Sequence, residues 1–195
     1  MGTTAEILLY LVQTAFGVLL FAVLLRLLLQ LARADFYNPI SQFVVKVTQP
    51  LLRPLRRILP PAGRVDTASL VLAFAIQCIA TLVVLALAGI SLRNPVLLLA
   101  WSALGIASLL LNIYFFGILL LIVLSWVAPH SNHPGIALLH QLTEPVMAPV
   151  RRLLPPIGGL DLSPILVFVI INVLEILLRG LAQGVGLPHG VVLGF

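Results

Sequence analysis

Thr48-Gln-Pro-Leu-Leu-Arg-Pro-Leu-Arg-Arg-Ile-Leu-Pro-Pro-Ala-Gly-Arg-Val-Asp66 returns 95 residues later, without a gap, as Thr143-Glu-Pro-Val-Met-Ala-Pro-Val-Arg-Arg-Leu-Leu-Pro-Pro-Ile-Gly-Gly-Leu-Asp161. The copies share Pro50 and Pro145, Pro54 and Pro149, Arg56-Arg57 and Arg151-Arg152, Pro60-Pro61 and Pro155-Pro156, and the closing Asp66 and Asp161. A fixed-period repeat of this kind means one structural unit used twice. The expected units are residues 1–95 and 96–195.

The chain around the repeat is 61% hydrophobic and only 9% charged, against ~25% charged in a soluble domain. So little charge cannot cover a water-facing surface, and the chain reads as an integral membrane protein. Its net charge of +5 sits at the ends of apolar runs, not on an aromatic-studded basic face, so nucleic acid is excluded as a partner. Crossing ~30 Å of hydrocarbon takes ~20 apolar residues. Four segments qualify: about Ile7–Leu31, Thr67–Leu92, Ser102–Trp126 and Leu162–Gly186. The third follows from adding the repeat offset to the first, which leaves Pro95–Leu99 as an apolar connection or extra turn. The N-terminal run lacks a basic leader and is too long for a cleavable signal peptide. Arg26 falls one turn inside the first span and is expected to snorkel to the headgroups.

Basic residues concentrate in the two long connections: Arg33, Lys46, Arg53, Arg56, Arg57 and Arg64 in the first, Arg151 and Arg152 in the second. The positive-inside rule places both connections in the cytoplasm and both termini outside. Two spans per copy make the repeats parallel, related by a pseudo-twofold axis along the membrane normal. Asn38-Pro39 and His133-Pro134 read as N-caps followed by proline at the first helical position. Beyond them Ile40, Phe43, Val44, Val47, Leu51, Leu55 and Ile58 recur at helical spacing, with the basic residues opposite; Leu138, Leu139, Leu142, Val146, Val150 and Leu153 repeat the stripe. These are expected to be amphipathic interfacial helices over 39–59 and 134–154. Pro50, Pro54, Pro145 and Pro149 should kink or break them, and the proline pairs should end them. Asp66 and Asp161 are placed to cap the following spans. Arg53, Arg56, Arg57, Arg151 and Arg152 are candidates either for anchoring anionic lipid headgroups or for docking a protein or specific lipid.

Polar groups inside the spans are the other candidates. Glu175 and Arg179, four apart, share a helix face, as a functional site or a structural pair. Gln77 and Asn172 occupy equivalent positions and suggest a hydrogen bond between helices near the pseudo-twofold axis. Gln13 and Asn112 have no such match. Gly180 and Gly184 form a small-residue packing motif. Cys78 is alone, so no disulfide forms within the chain, and it reads as a small buried residue. No HExxH, GxSxG, Walker or GxGxxG motif is present, so neither an enzyme nor a cofactor is expected. His130, His133 and His140 lack a nearby thiol and fall short of a metal set.

The strings Asn38-Pro39, Thr48-Gln-Pro50, Pro54-x-Arg-Arg57 and Pro60-Pro61, then Thr143-Glu-Pro145, Pro149-x-Arg-Arg152, Pro155-Pro156 and Gly158-Gly-Leu-Asp-Leu-Ser-Pro164, resemble the YggT family, related to the YlmG proteins. The resemblance covers nearly the whole chain, and its two-copy form is similar to the proteobacterial members. The second copy fits better: Thr67-Ala-Ser69 replaces Leu-Ser-Pro, Gln49 stands where Glu144 does, and only His133 departs from the favoured Asn. The resemblance implies no established enzymatic activity. It implies links to osmotic-stress resistance and potassium homeostasis and, in the YlmG branch, to cell division, nucleoid distribution and assembly of membrane complexes. The expectation is therefore an all-α membrane protein of the bacterial inner membrane. It has four transmembrane helices in two parallel hairpin repeats, each carrying a proline-kinked amphipathic element. The first functional reading is an accessory protein with membrane or cytoplasmic partners. The second is a channel or transporter component lined by Gln77, Asn172 and Glu175, which would have to be a homo-oligomer to enclose a path.

Overall fold

The computed structural model describes residues 3–60, 62–63, 65–92, 94–129, 131–154 and 161–195. Pro61, Arg64, Arg93, His130 and the stretch 155–160, with Pro155, Pro156 and Gly158, lie outside the described residues. Among the described residues six helices follow in order: α1 Thr3–Leu31, α2 Pro39–Ile58, α3 Thr67–Ala88, α4 Pro95–Val127, α5 Pro134–Leu153 and α6 Ser163–Gly184. Four of them, α1, α3, α4 and α6, are long and apolar enough to cross a membrane. The remaining two, α2 and α5, sit one repeat offset apart at both ends.

Local chemistry sets these ends. Asn38 accepts from the Ile40 amide and His133 Nδ1 from the Gly135 amide, each with proline next in line, so orphan amides find partners and proline's missing N–H costs nothing. Asn94 does the same for Val96 ahead of Pro95. As a result α4 begins at Pro95 rather than near Ser102, and the expected connection is helix. At 33 residues it is about 50 Å long, more than the hydrocarbon thickness. Gly89, at φ +68°, closes α3 with its amide on Ala86 O while Ile90 N–H bonds Leu85 O. This is a Schellman close that only a residue without Cβ takes cheaply, and it ends the second span before Leu92.

The prolines do not break α2 or α5, which corrects that part of the expectation: each helix runs continuously through its two internal prolines. Pro50 deprives the Lys46 carbonyl of its usual partner. One residue earlier, Arg26 from α1 donates to the Val45 carbonyl, and Thr48 Oγ1 bonds Val44 O.

With 3.6 residues per turn, α2 presents three faces rather than two. Ser41, Val44, Thr48 and Leu52 are buried on the bundle. Ile40, Phe43, Val47, Leu51 and Ile58 form an exposed apolar row beside them. Gln42, Lys46, Gln49, Arg53 and Arg57 complete the circle. The expected single stripe is thus split, because Thr48 is drawn inward to meet Arg26.

In the bundle, α3 packs between α1 and α4, and α6 lies on α4; α2 braces α1 and α3, and α5 braces α4 and α6. The main core joins Leu20, Val23 and Leu24 of α1 to Leu72 and Ile76 of α3, Ile106 and Ile113 of α4, and Leu138 and Leu142 of α5. A second cluster, Ile118, Met147, Val167 and Ile171, ties α6 to α4 and α5. Much of α6 faces outward, including Gly180 and Gly184, where a Cβ would meet nothing within 4 Å. The small-residue motif therefore packs on no neighbour among the described residues.

Candidate functional site

The repeated Arg and Asp residues build a clamp in each copy. In the first, the guanidinium of Arg56, in the last turn of α2, pairs with Asp66 at the start of α3, and Ser69 Oγ donates to the same carboxylate oxygen at 2.7 Å. The Asp66 side chain is only 4% exposed. It makes no capping bond to an α3 amide, so the expected cap is replaced by an ion pair and a hydroxyl. In the second copy, Arg151 reaches Asp161 at 3.1 Å and Glu144 at 2.8 Å, while Asp161, one residue before the N-cap Leu162, accepts from the first amide of α6, that of Ser163, at 2.9 Å. These carboxylates are open to water, Asp161 42% and Glu144 52% exposed. Each clamp ties the end of the amphipathic helix to the start of the following span.

Burial by itself would raise the Asp66 carboxyl, but the hydrogen bonds from Arg56 and Ser69 and the Arg56 charge outweigh it and hold Asp66 below the usual carboxylate range. Asp161 follows the same pattern: burial pushes up, and Ser163 and Arg151 pull it lower overall. Depressed carboxylates contribute stability that is present above their unfolded pKa of ~4 and lost as pH falls through the folded value. Thermal unfolding in detergent should therefore be flat from neutral pH to about pH 5 and weaken below about pH 4. Asp66→Asn should flatten that acid limb; an unchanged limb would show that the clamp carries no linkage.

Arg26 does not snorkel. It is 4% exposed and donates to Thr48 Oγ1 at 2.8 Å, Gln49 Oε1 at 2.9 Å and the Val45 carbonyl at 3.2 Å. The repeat offset puts Leu121 and Glu144 where the first copy has Arg26 and Gln49, so the two copies differ in which helix carries the charge. Arg53, Arg57 and Arg152 are exposed and, among the described residues, make no ion pair. Of the five arginine candidates, two are thus spent on the clamps and three present their charge outward.

The polar residues within the spans do not meet each other as expected. Asn172 is exposed and donates to Phe168 O of its own helix. Gln77 is fully buried and donates to the Leu193 carbonyl at 3.3 Å. The expected Gln77–Asn172 bond is absent because the 185–195 segment folds back between α1, α3 and α4. Gln13 of α1 donates to Gly190 O at 2.6 Å and Trp101 Nε1 of α4 to Val185 O at 3.1 Å. The Ser108 hydroxyl lies 2.7 Å from Gly194 O and 3.0 Å from Glu175 Oε1, so one proton serves two acceptors. Glu175 meets Arg179 only at 3.8 Å, with Arg179 67% exposed.

Gln77 lies eleven residues from the end of α3, so the segment penetrates about 16 Å, to mid-membrane depth. Irregular backbone survives there only if its carbonyls find donors inside the protein, which is what these side chains supply. Close approach also needs Gly105, where a Cβ would collide with Val192 and lie 2.7 Å from Gln77 Nε2 and 2.8 Å from Leu193 O. Sequence reasoning missed this segment; the unmatched Gln13 and the lone Gly105 were its only signals.

The fold and these clamps define a four-span helical membrane protein assembled from two like hairpins. The chain belongs to the CCB3/YggT family, whose model matches twice, over residues 5–87 and 100–182. It is 47% identical over 182 residues to an uncharacterized protein of Pseudomonas aeruginosa, covering 92% of each chain. It is 37% identical over 180 residues to YggT of Escherichia coli K12, covering 91% of this chain and 92% of the relative. The chloroplast protein CCB3 of Arabidopsis thaliana, named for cofactor assembly of complex C, is 32% identical over 80 residues, 40% of this chain and 45% of its own. No solved structure matches significantly.

Proposed function

We propose that the chain is a non-enzymatic accessory protein of the bacterial inner membrane, which supports assembly of membrane complexes, division or envelope organisation by docking partners on the face carrying α2 and α5. The observation that carries this reading is the split role of the arginines. Arg56 and Arg151 pair with Asp66 and Asp161 at the start of the next spans, while Arg53, Arg57 and Arg152 stand outward. The adjoining exposed row of Phe43, Val47 and Leu51 suits a helix half-sunk in the interface, with its polar side toward water and anionic headgroups. Basic residues on that side favour the cytoplasm, with the opposite ends of the bundle in the periplasm. The assembly role in the name of the Arabidopsis relative adds support for a partner-binding part.

Ion or osmotic homeostasis through a channel or transporter component has less support. Segment 185–195 occupies the space where Gln77 would face a path, and Asn172 points away from it.

Reversing Arg53, Arg57 and Arg152 to Glu tests the docking reading. Crosslinked partners recovered from native membranes should be lost with little change in thermal stability, since exposed charges contribute ~0–1 kcal/mol. Unchanged partners and phenotype would reject it.

A further inference from the structure

A groove runs between the first spans of the two repeats. Phe21, Leu25 and Leu29 of α1 line one wall, and the residues one repeat offset later, Phe116, Leu120 and Leu124 of α4, line the other. Leu138 and Leu142 of α5 close its floor, and Ile40 and Gly135, again equivalent positions, stand near its mouth. The groove is therefore the seam between the repeats, where the two first spans part instead of packing. Its surface is almost wholly apolar, its volume about 650 Å³, and it runs along α4 from Leu109 to Ala128, about 28 Å.

Apolar walls over a length close to the ~30 Å hydrocarbon core match a polymethylene chain lying along the span. At the α5 end a second chamber of about 320 Å³ adjoins the groove, the two sharing Leu124, Ala128, Ser131, His133 and Ile136 as lining. The chamber adds Ser125, Asn132 and His140 and no carboxylate. His133 Nδ1 accepts from the Gly135 amide, which leaves Nε2 as the donor of the neutral ring. With the Asn132 amide, the Ser131 hydroxyl and His140, the chamber offers several donors and no acid.

An apolar groove beside a donor-rich chamber at the end of a span has the form of an amphiphile. We infer that the seam between the repeats is a phospholipid site, with one acyl chain along the paired Phe21–Leu25–Leu29 and Phe116–Leu120–Leu124 rows and the phosphodiester among Ser131, Asn132, His133 and His140. The inference stands apart from the docking reading, because it uses none of the exposed arginines.

The test uses the full chain in phosphatidylethanolamine–phosphatidylglycerol vesicles containing a trace of phosphatidylglycerol with a diazirine in its acyl chain. After irradiation, adducts are mapped by peptide mass spectrometry. They should concentrate on the two groove rows and fall roughly tenfold in Leu120→Trp and in Leu25→Trp, which fill the slot from opposite walls. Leu119→Trp, on the same helix but outside the groove, should keep them. A diazirine fatty acid without the phosphodiester should label the groove several-fold less, and Ser131→Ala with His140→Ala should lower the phospholipid adducts. Wild-type adducts spread evenly over outward residues such as Val169 and Leu177 would overturn the site without recourse to any variant. Groove adducts undiminished by both tryptophans would overturn it too, and equal labelling by the fatty acid would overturn the headgroup assignment.

Discussion

Gly105→Ala should expel residues 185–195 from the bundle. In an exposed helix the substitution stabilises by ~1 kcal/mol through helix propensity. Here the new Cβ would lie 2.8 Å from the Leu193 carbonyl and collide with the buried Val192, and backbone cannot be turned aside as a long side chain can. The segment has to shift, and Gln13, Gln77, Trp101 and Ser108 then lose the carbonyls they serve. Overpacking and these lost bonds between segments together should cost about 2–4 kcal/mol. Hydrogen–deuterium exchange should rise across 186–195, and the thermal midpoint should fall. Gly17→Ala, where nothing lies within 4 Å, is the control and should be neutral or slightly stabilising. If Gly105→Ala matched it, the re-entrant packing would be wrong.

The two clamps should respond unequally to the same substitution. Arg56→Ala leaves the Asp66 carboxylate charged at 4% exposure with Ser69 as its remaining partner. Removing one member of a buried pair costs ~3–5 kcal/mol, and the partial exposure of Arg56 places this case at the lower end, about 3 kcal/mol. Arg151→Ala leaves Asp161 and Glu144 to water and should cost no more than about 1 kcal/mol. A double-mutant cycle on Arg56 and Asp66 should show strong coupling, and one on Arg151 and Asp161 little. Equal costs would mean that the repeat, rather than burial, governs the clamps. The identical Arg-Arg…Asp spacing gives no hint of this inequality; the first carboxylate is buried and held by Ser69 as well as Arg56, while Pro164 replaces that serine in the second copy.

Spans and most helix starts, by contrast, are written locally. Hydropathy marks the first, and Asn38 and His133 ahead of prolines mark the starts of α2 and α5, whereas the 95-residue offset hides the start of α4 at Asn94-Pro95 by pointing to Ser102. Arg26 is ambiguous from sequence because its side chain is long enough either to reach the headgroups or to cross to α2, and only the packing of Thr48 and Gln49 against α1 decides between them. Segment 185–195 is hidden for a related reason. Its Val, Leu and Gly residues read as an apolar overhang, and its polar requirement lies in backbone carbonyls, which every residue has. The donors that meet that requirement are scattered over three helices far apart in sequence. The groove is equally invisible, since Phe21 and Phe116 are ordinary span residues until the packing of α1 and α4 lines one groove with both.

Site-specific photocrosslinking in native membranes tests the central claim, that the paired amphipathic helices form a docking surface. A photoreactive residue would replace Phe43, Leu51, Arg57 or Arg152 in turn, with Leu82 and Ile176 on the outward faces of α3 and α6 as reference positions. The account predicts protein adducts of discrete mass from the α2 and α5 positions, abolished when the remaining exposed arginines are reversed to Glu, and none from the reference positions. Adducts to lipid alone at α2 and α5, or the same protein adducts from every position regardless of charge, would contradict it.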